Sequence, residues 1–471
     1  MKINVVPASS FTERGVTLGR LDAEFVDPDM LAKEQRLLDH YAATPLAQFK
    51  LATVDTYSKP KAATEAVVSY IAIDDIDGRD GFIFHQRLIE DDLPSRAKYR
   101  LKTFDILISN VRPERGAVGL VLDRQDGAIG SSGLTVVRMD DAELRNLMFA
   151  FLRTSTARDQ LIRRSRGSMY PAITKDDVPE ILVPAFAAAD RTAASAKVAD
   201  SIAHRETFFD LHDTQALEVE DFLQSELGDP PPDIVLDVAG KLSIRIASFA
   251  ELGPTGADRF DAEFHRREFV EFQKRLAARP RTVRLGESFD AFAGGNAGKG
   301  SGTVQRLRQA QLTGFGIDFT GCETVEQASA PTKSTLRVGD VLIGCTAHEP
   351  HYVGNRVDYI DALPDKSTDP IVPVADVMVI RALAGANQID PGFLASFLDT
   401  KWGRRQFQRL NRGLRGGHVY GDDVRDFIYV PIPSPEWMAG FQTRQQQIRT
   451  ARRLSIETLA AAVGILEMAL H

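Results

Sequence analysis

Along this chain the spacing of apolar residues changes character several times, and the same succession of changes occurs twice. Short unbroken apolar runs, Ile106-Leu107-Ile108 and Val341-Leu342-Ile343, sit among polar and glycine-containing stretches and predict strands in a loop-rich body. Helical spacing follows each of them. Leu144, Leu147, Met148, Phe151 and Leu152 predict one amphipathic helix, and Phe393, Leu394, Phe397, Leu398 and Trp402 predict another. A last strand then runs into prolines, as "EILVPAF" and as "FIYVPIPSP". Beyond the prolines, residues 190–227 and 435–470 carry no proline except Pro435, and only Gly440 and Gly464. Val198, Ile202, Phe209, Val219, Phe222 and Leu223 recur three and four apart in the first segment, as do Phe441, Ile448, Leu459, Ile465 and Leu466 in the second. Each segment predicts a helix of about 35 residues, roughly 50 Å long. Stripes this narrow suit pairing of the two helices with each other.

The two halves also match in sequence. "RLDAEF" at 20–25 returns as "RFDAEF" at 259–264, an offset of 239. Asp105 in "KTFDILIS" matches Asp340 in "RVGDVLIG" and Gly119 matches Gly354, both at 235; Asp177 in "TKDDVPEILVP" matches Asp423 in "YGDDVRDFIYVP" at 246. Ordered matches with slowly drifting offsets imply a duplication with insertions in loops, and a period near 240 is a repeated domain rather than a solenoid unit. Each copy opens with an extended stretch ("KINVV", "KLSIRI") and a helical run over about 28–43 or 262–279. The expected fold class is therefore α+β. A domain at 1–186 is followed by a helix at 187–228, and a second at 229–433 by a helix at 434–471. The helices are expected to pair as an antiparallel coiled coil with an approximate two-fold axis, and "ELGDPPPD" (226–233) to be the linker.

Composition narrows the class. The chain has 471 residues, 43% hydrophobic and 26% charged, as in a soluble globular protein. Neither a run of membrane-spanning length nor a signal-peptide core is visible. Its two cysteines, Cys322 and Cys345, suit a reducing cytoplasm and exclude a disulfide framework. With His348 and His351 they match no zinc spacing, and the expected metal content is none. The 57 basic and 65 acidic residues leave a net charge of −8, so any anionic partner must be met by local charge. Such islands exist. Residues 401–415 hold six basic side chains and no acidic one, and residues 153–166 hold five basic and one acidic. They follow the predicted amphipathic helix at the same place in each copy. Phosphate docking is one reading, and a solvated helix C-terminus favouring cations is the other.

The arrangement resembles the DNA-specificity subunit of type I restriction–modification systems. The likeness rests on "LKTFDILISNVRPERGAVGLV" (101–121) and "LRVGDVLIGCTAHEPHYVGNRV" (337–357), and on "RRSRGSMYPAITKDDVPEILVPAF" (163–186) and "LNRGLRGGHVYGDDVRDFIYVPIPSP" (410–435). In that family two target-recognition domains alternate with two helical spacers. The resemblance implies a non-catalytic cytoplasmic subunit that binds double-stranded DNA at a split, asymmetric target. It further implies partners: two methyltransferase subunits, which carry S-adenosylmethionine, and a motor–nuclease subunit. This chain itself would bind no cofactor.

Base reading calls for forked donors or mixed donor–acceptor edges, Arg to guanine and Asn or Gln to adenine. The loops after the aligned strands supply Ser109, Asn110, Arg112 and Arg115 in one copy, and Thr346, His348, His351, Asn355 and Arg356 in the other. Their frames align while the loops diverge, as two readers of different half-sites would; ordinary loop drift gives the same pattern. Phosphate contacts are expected from Arg163, Arg164 and Arg166 and from Arg404, Arg405, Arg412 and Arg415, and DNA contacts also from Ser168 and His418. Gly167, Gly413, Gly416 and Gly417 admit either close approach of backbone to a duplex or a helix C-cap.

Catalytic patterns fail. "FAGGNAGKGSGT" (292–303) lacks the spacing and the Ser/Thr of a phosphate loop and reads as a mobile loop. "DPPPD" (229–233) lacks the aromatic residue of amino-methyltransferase motifs and no glycine-rich cofactor turn lies nearby. Asp176-Asp177 and Asp422-Asp423 precede the last strand in each copy, but Lys175 has Gly421 as counterpart, so capping is the better reading. A self-contained methyltransferase or nuclease is thus disfavoured. A DNA-targeting module of another phage-defence complex remains the alternative within binding proteins.

Overall fold

The computed structural model describes residues 25, 27–60, 66–167, 169–231, 264–295, 302–327, 333–347, 352–364, 369–385, 389–413 and 417–470. The protein is mixed α+β. Its helices are α1 (Pro28–Tyr41), α2 (Ala142–Leu152), α3 (Ser155–Arg164), α4 (Ala188–Leu227), α5 (Arg267–Ala277), α6 (Pro391–Asp399), α7 (Lys401–Arg409), α8 (Gly421–Phe427) and α9 (Pro435–Met468). The chain divides into two compact units, one of residues 1–210 with 448–471 and one of residues 211–447. Among the described residues no helix is long and apolar enough to cross a membrane.

In the first unit, Ile106–Ser109 is the centre of an antiparallel three-stranded sheet, flanked by Val118–Leu120 and Leu134–Val137. Ile106, Leu107 and Ile108 are all buried, as their apolar run predicts. A five-stranded sheet runs in the order Asp55–Thr56, Ala97–Arg100, Ile129–Ser131, Val67–Ile71, Gln86–Ile89. The core joins α1, α2 and α3 to segments of the long helices. Ala194 and Val198 of α4 share this core with Leu459, Ala462 and Leu466 of α9. Ser201 Oγ donates to the Ser455 carbonyl at 2.7 Å in the same layer.

In the second unit, Val341–Gly344 lies between Val357–Tyr359 and Val377–Ala382, with Phe289–Ala293 beyond. A second sheet of Glu323–Gln327, Gly302–Leu307 and Ile371–Pro373 covers it, and Thr282–Arg284 pairs with Tyr429–Pro431. Segments of α4 and α9 also meet in this unit. Arg444 forks onto Glu218 at 2.6 and 2.9 Å, and Phe222 meets Trp437 with ring centres 4.8 Å apart.

Several expectations hold. The long helices cover 188–227 and 435–468, and Gly228 ends α4 in the left-handed conformation (φ +68°). Others need correction. The expected helix at 262–279 is shorter in the structure, Arg267–Ala277, because 264–266 turn first. The single amphipathic helix expected from Phe393 to Trp402 is two helices. Thr400 breaks it: its Oγ1 donates to the Phe397 carbonyl and accepts from the Gly403 amide, capping α7. Thr154 does the same between α2 and α3, so the first basic island is a capped helix of its own. The match of Gly119 to Gly354 is also displaced. In the ladders Leu107 faces Gly119 whereas Leu342 faces Asp358. The second loop is four residues longer, which an ungapped match cannot register. The stretches "KINVV" and "KLSIRI", and all of the RxDAEF phrases except Phe25 and Phe264, lie outside the described residues, as does 296–301 of the glycine-rich loop.

Candidate nucleic-acid interface

A frame of polar contacts positions the candidate loops, and it occurs in both units. Asp105 receives Arg138 as a fork (2.7 and 2.8 Å) and the Lys102 amide at 2.8 Å. Asp340 receives Arg381 as a fork (2.7 and 2.7 Å) and the Arg337 amide at 2.8 Å. Both carboxylates are buried, so each fork supplies the charge and the donors that make burial tolerable. Gln160 brackets Leu182 of the last strand through its amide and carbonyl (2.8 and 3.0 Å), and Gln406 brackets Tyr429 likewise (3.0 and 3.2 Å). The glutamine contacts lock α3 and α7 to the last strand of each unit.

In the first unit, the central strand ends at Ser109, whose Oγ donates to the Val111 carbonyl at 3.0 Å. Asn110 is half-buried and accepts from Thr135 Oγ1 at 2.6 Å. Arg112 takes the left-handed conformation (φ +54°), and its amide donates to the Pro171 carbonyl at 2.7 Å. Arg115 is exposed on the turn Pro113–Arg115. Arg166 and Ala172 exchange backbone bonds of 2.8 and 2.9 Å. Arg166 also pairs with Asp177 at 2.5 Å. Burial would raise the Asp177 carboxyl, but Arg166 and the Thr174 hydroxyl and amide outweigh it and hold it below the ordinary carboxylate value.

The second unit repeats the arrangement with different side chains. Arg412 and His418 exchange backbone bonds of 2.9 and 3.1 Å, and Arg412 forks onto Asp423 at 2.7 and 2.9 Å. The pairs Arg166–Asp177 and Arg412–Asp423 share the offset of 246 for both members. Thr346 Oγ1 lies 2.9 Å from His418 Nδ1, and Arg412 stacks over the Tyr420 ring at 5.2 Å. Asn355 and Arg356 are exposed, and Arg356 reaches the carbonyls of Gln309, Ala310 and Leu312 at 3.5 Å each.

The structure therefore brings Asn110, Arg112, Arg115 and Arg166 to one loop cluster, and Thr346, Arg412 and His418 to another, with Asn355 and Arg356 on the adjoining turn. It removes others. Arg163 and Arg164 are buried, paired with Glu34 at 2.8 and 2.7 Å, and are structural rather than phosphate-facing. Ser109 is buried as well. Arg404 is turned onto the Asp399 carboxylate and carbonyl, and Arg405 onto the Pro231 carbonyl. Ser168, His348, His351 and Arg415 lie outside the described residues. The capping reading of the paired acids holds for Asp177, which accepts from the Thr174 amide at 2.7 Å. Among the described residues no group of His, Cys, Asp and Glu could hold a metal.

Exposed apolar residues of these loops escaped notice in the sequence: Met169, Tyr170, Tyr352 and Tyr420.

No known family description and no curated protein sequence matches the chain. Solved structures to which it is similar include the HsdS subunit from Thermoanaerobacter tengcongensis (19% identity, 91% of this chain and 96% of that one, TM-score 0.32). Another is a chain from a structure addressing complex assembly and conformational transition of the type I R-M system (19%, 91% and 97%, TM-score 0.32). A third is the type I restriction-modification S subunit from M. genitalium (13%, 91% and 94%, TM-score 0.34).

Proposed function

We propose that this chain is a non-catalytic DNA-specificity subunit of a type I restriction–modification system, a tandem duplication of one recognition domain that reads a bipartite, asymmetric duplex target. The observation that carries the reading is the frame that recurs with dissimilar loops. Forked Arg–Asp pairs and bracketing glutamines return at matched positions, while the loops differ: Arg112 and Arg115 in the first unit, Thr346, His418, Asn355 and Arg356 in the second. One scaffold with two different sets of donors suits two half-sites of different sequence.

Each reader's role follows from its chemistry. Exposed arginines present forks to guanine edges or phosphates, and Asn110 and Asn355, whose side-chain oxygens accept from Thr135 and Gln408, offer amide donors to a base edge. Asp177 and Asp423 fix Arg166 and Arg412 in orientation, which reduces the side-chain entropy lost on binding. Helices α4 and α9, of 40 and 34 residues, are about 60 and 50 Å long, enough to hold two readers one or more duplex turns apart. Their pairing as an antiparallel coiled coil would set the gap and offer a docking surface. The partners in this reading are two methyltransferase subunits carrying S-adenosylmethionine, with a motor–nuclease subunit, in the cytoplasm.

The test is binding of the purified chain, alone and co-expressed with a methyltransferase subunit, to a randomised duplex library, followed by sequencing of retained DNA. Two short motifs with a fixed gap are expected. Retention without sequence preference in both preparations, or methyl transfer or cleavage by the chain alone, would sink the reading.

A further inference from the structure

The loop that Arg166 and Ala172 close carries Met169 and Tyr170 side by side, 79% and 66% exposed. Met169 is the most exposed large apolar side chain among the described residues. Isolated exposed apolar side chains need no explanation, but two together at the tip of a pinned loop do. The loop is held at its base by the reciprocal Arg166–Ala172 backbone bonds and on one side by the Arg112 amide donating to Pro171. Gly167 at φ +90° makes the reversal, a conformation that a side chain would strain. The Arg112 guanidinium lies over the Tyr170 ring, 5.4 Å from its centre; Arg115 on the Pro113–Arg115 turn and Arg158 on α3 are exposed. The loop thus presents two exposed apolar side chains with one cation, Arg112, against them.

We propose that Met169 and Tyr170 form a wedge that enters the duplex and unstacks one base step in the half-site read by the first unit. The inference rests on the DNA-binding reading and deepens it. Arg112 beside the tip is attracted to the phosphate backbone, while the apolar side chains gain nothing from phosphates and find matching surface between bases. Tyr170 offers a ring face for stacking that is indifferent to base identity, with Arg112 backing the opposite face. The corresponding stretch of the second unit, between Arg412 and His418, has the sequence "GLRGG", with Leu414 its one large apolar residue and no aromatic ring to stack on a base. Distortion should therefore fall in one half of the target only.

The experiment uses the full chain and a duplex selected from the randomised library, with 2-aminopurine placed at each position in turn. The expected result is a fluorescence rise at one step in a single half-site. M169A/Y170A should abolish that rise and weaken binding about 10- to 100-fold. The slope of log affinity against log salt should be unchanged, since no charge is removed. Tyr170→Phe should retain both signals, and all variants should keep the wild-type melting temperature because the two side chains are exposed. Selective binding without a fluorescence rise, or M169A/Y170A binding as tightly as wild type, would overturn the wedge and leave the DNA reading intact. No sequence selection by the wild-type chain would overturn both.

Discussion

Arg163 holds Phe25 twice: its Nε donates to the Phe25 carbonyl at 2.9 Å, and its guanidinium lies 4.3 Å from the centre of the Phe25 ring. Arg409 does the same to Phe264, at 2.7 and 4.2 Å. The phenylalanine ending the repeated RxDAEF phrase is thus fastened in both units by the arginine at the corresponding place in the basic island. In the first unit Glu34 completes the arrangement, and in the second Gln273 stands in its position, accepting from Arg409 at 2.6 Å.

Glu34 is the shared acceptor of two buried arginines, so Glu34→Ala leaves both charges without their carboxylate. We expect a loss of about 3 kcal/mol in unfolding free energy. Lys33→Ala, which breaks only the exposed Lys33–Asp159 pair, should cost under about 1 kcal/mol. Urea denaturation of both variants is the measurement, and equal small effects would refute the structural role of Glu34.

Arg205 of α4 donates to the carbonyls of Asp80 and Gly81 at 2.7 and 2.8 Å and is fully buried, which lowers its guanidinium to about 10. It remains charged at neutral pH. Arg205→Met strips two buried carbonyls of their donors and should destabilise the protein by about 2–4 kcal/mol. Amide exchange should quicken at the 77–84 turn, which the helix no longer holds.

Asp177 has a folded value below the ordinary carboxylate one, despite the opposing effect of burial, because Arg166 and Thr174 favour its charged form. A depressed carboxyl contributes stability above its unfolded value, about 3.9, and loses it as pH falls through the lower folded value. Asp177→Asn should therefore reduce stability at neutral pH and flatten the acid limb of the stability profile below about pH 4. An unchanged acid limb would argue that the pair contributes nothing.

Cys345 is buried and its thiol is pushed up to about 12, first by burial, whereas Cys322 is half-exposed. At pH 8 a maleimide should label Cys322 in the folded protein and both cysteines after denaturation. Mass spectrometry of the peptides gives the result directly. Labelling of Cys345 at the same rate as Cys322 would contradict its burial.

Arg112→Ala and Arg115→Ala should relax sequence preference in one half-site only, with Arg356→Ala acting on the other. Each good base contact is worth about 1–3 kcal/mol of discrimination. Library selection with each variant reads the outcome, and uniform weakening across both halves would mark these residues as phosphate contacts instead.

Periodicity by itself determined much of the architecture. The strands around Ile106 and Val341, the last strands before the prolines and the two long helices all follow from local spacing, because burying a face fixes a period of two or of 3.6 wherever it occurs. The matched pairs Asp105–Asp340 and Asp177–Asp423 were legible too, since residues carrying a repeated contact keep their order. Tertiary structure decided which cations are available. Arg163, Arg164 and Arg166 are near neighbours in one basic run, yet Arg163 and Arg164 meet Glu34 from about 130 positions away and are buried, while Arg166 faces out on Asp177. Nothing in local spacing records so distant a carboxylate. It likewise decided that Met169 and Tyr170 stand exposed, because that depends on Gly167 reversing the chain and on Arg166 and Ala172 closing it. A sequence lists the charges; long-range pairing sorts them into those that hold the fold and those left at its surface.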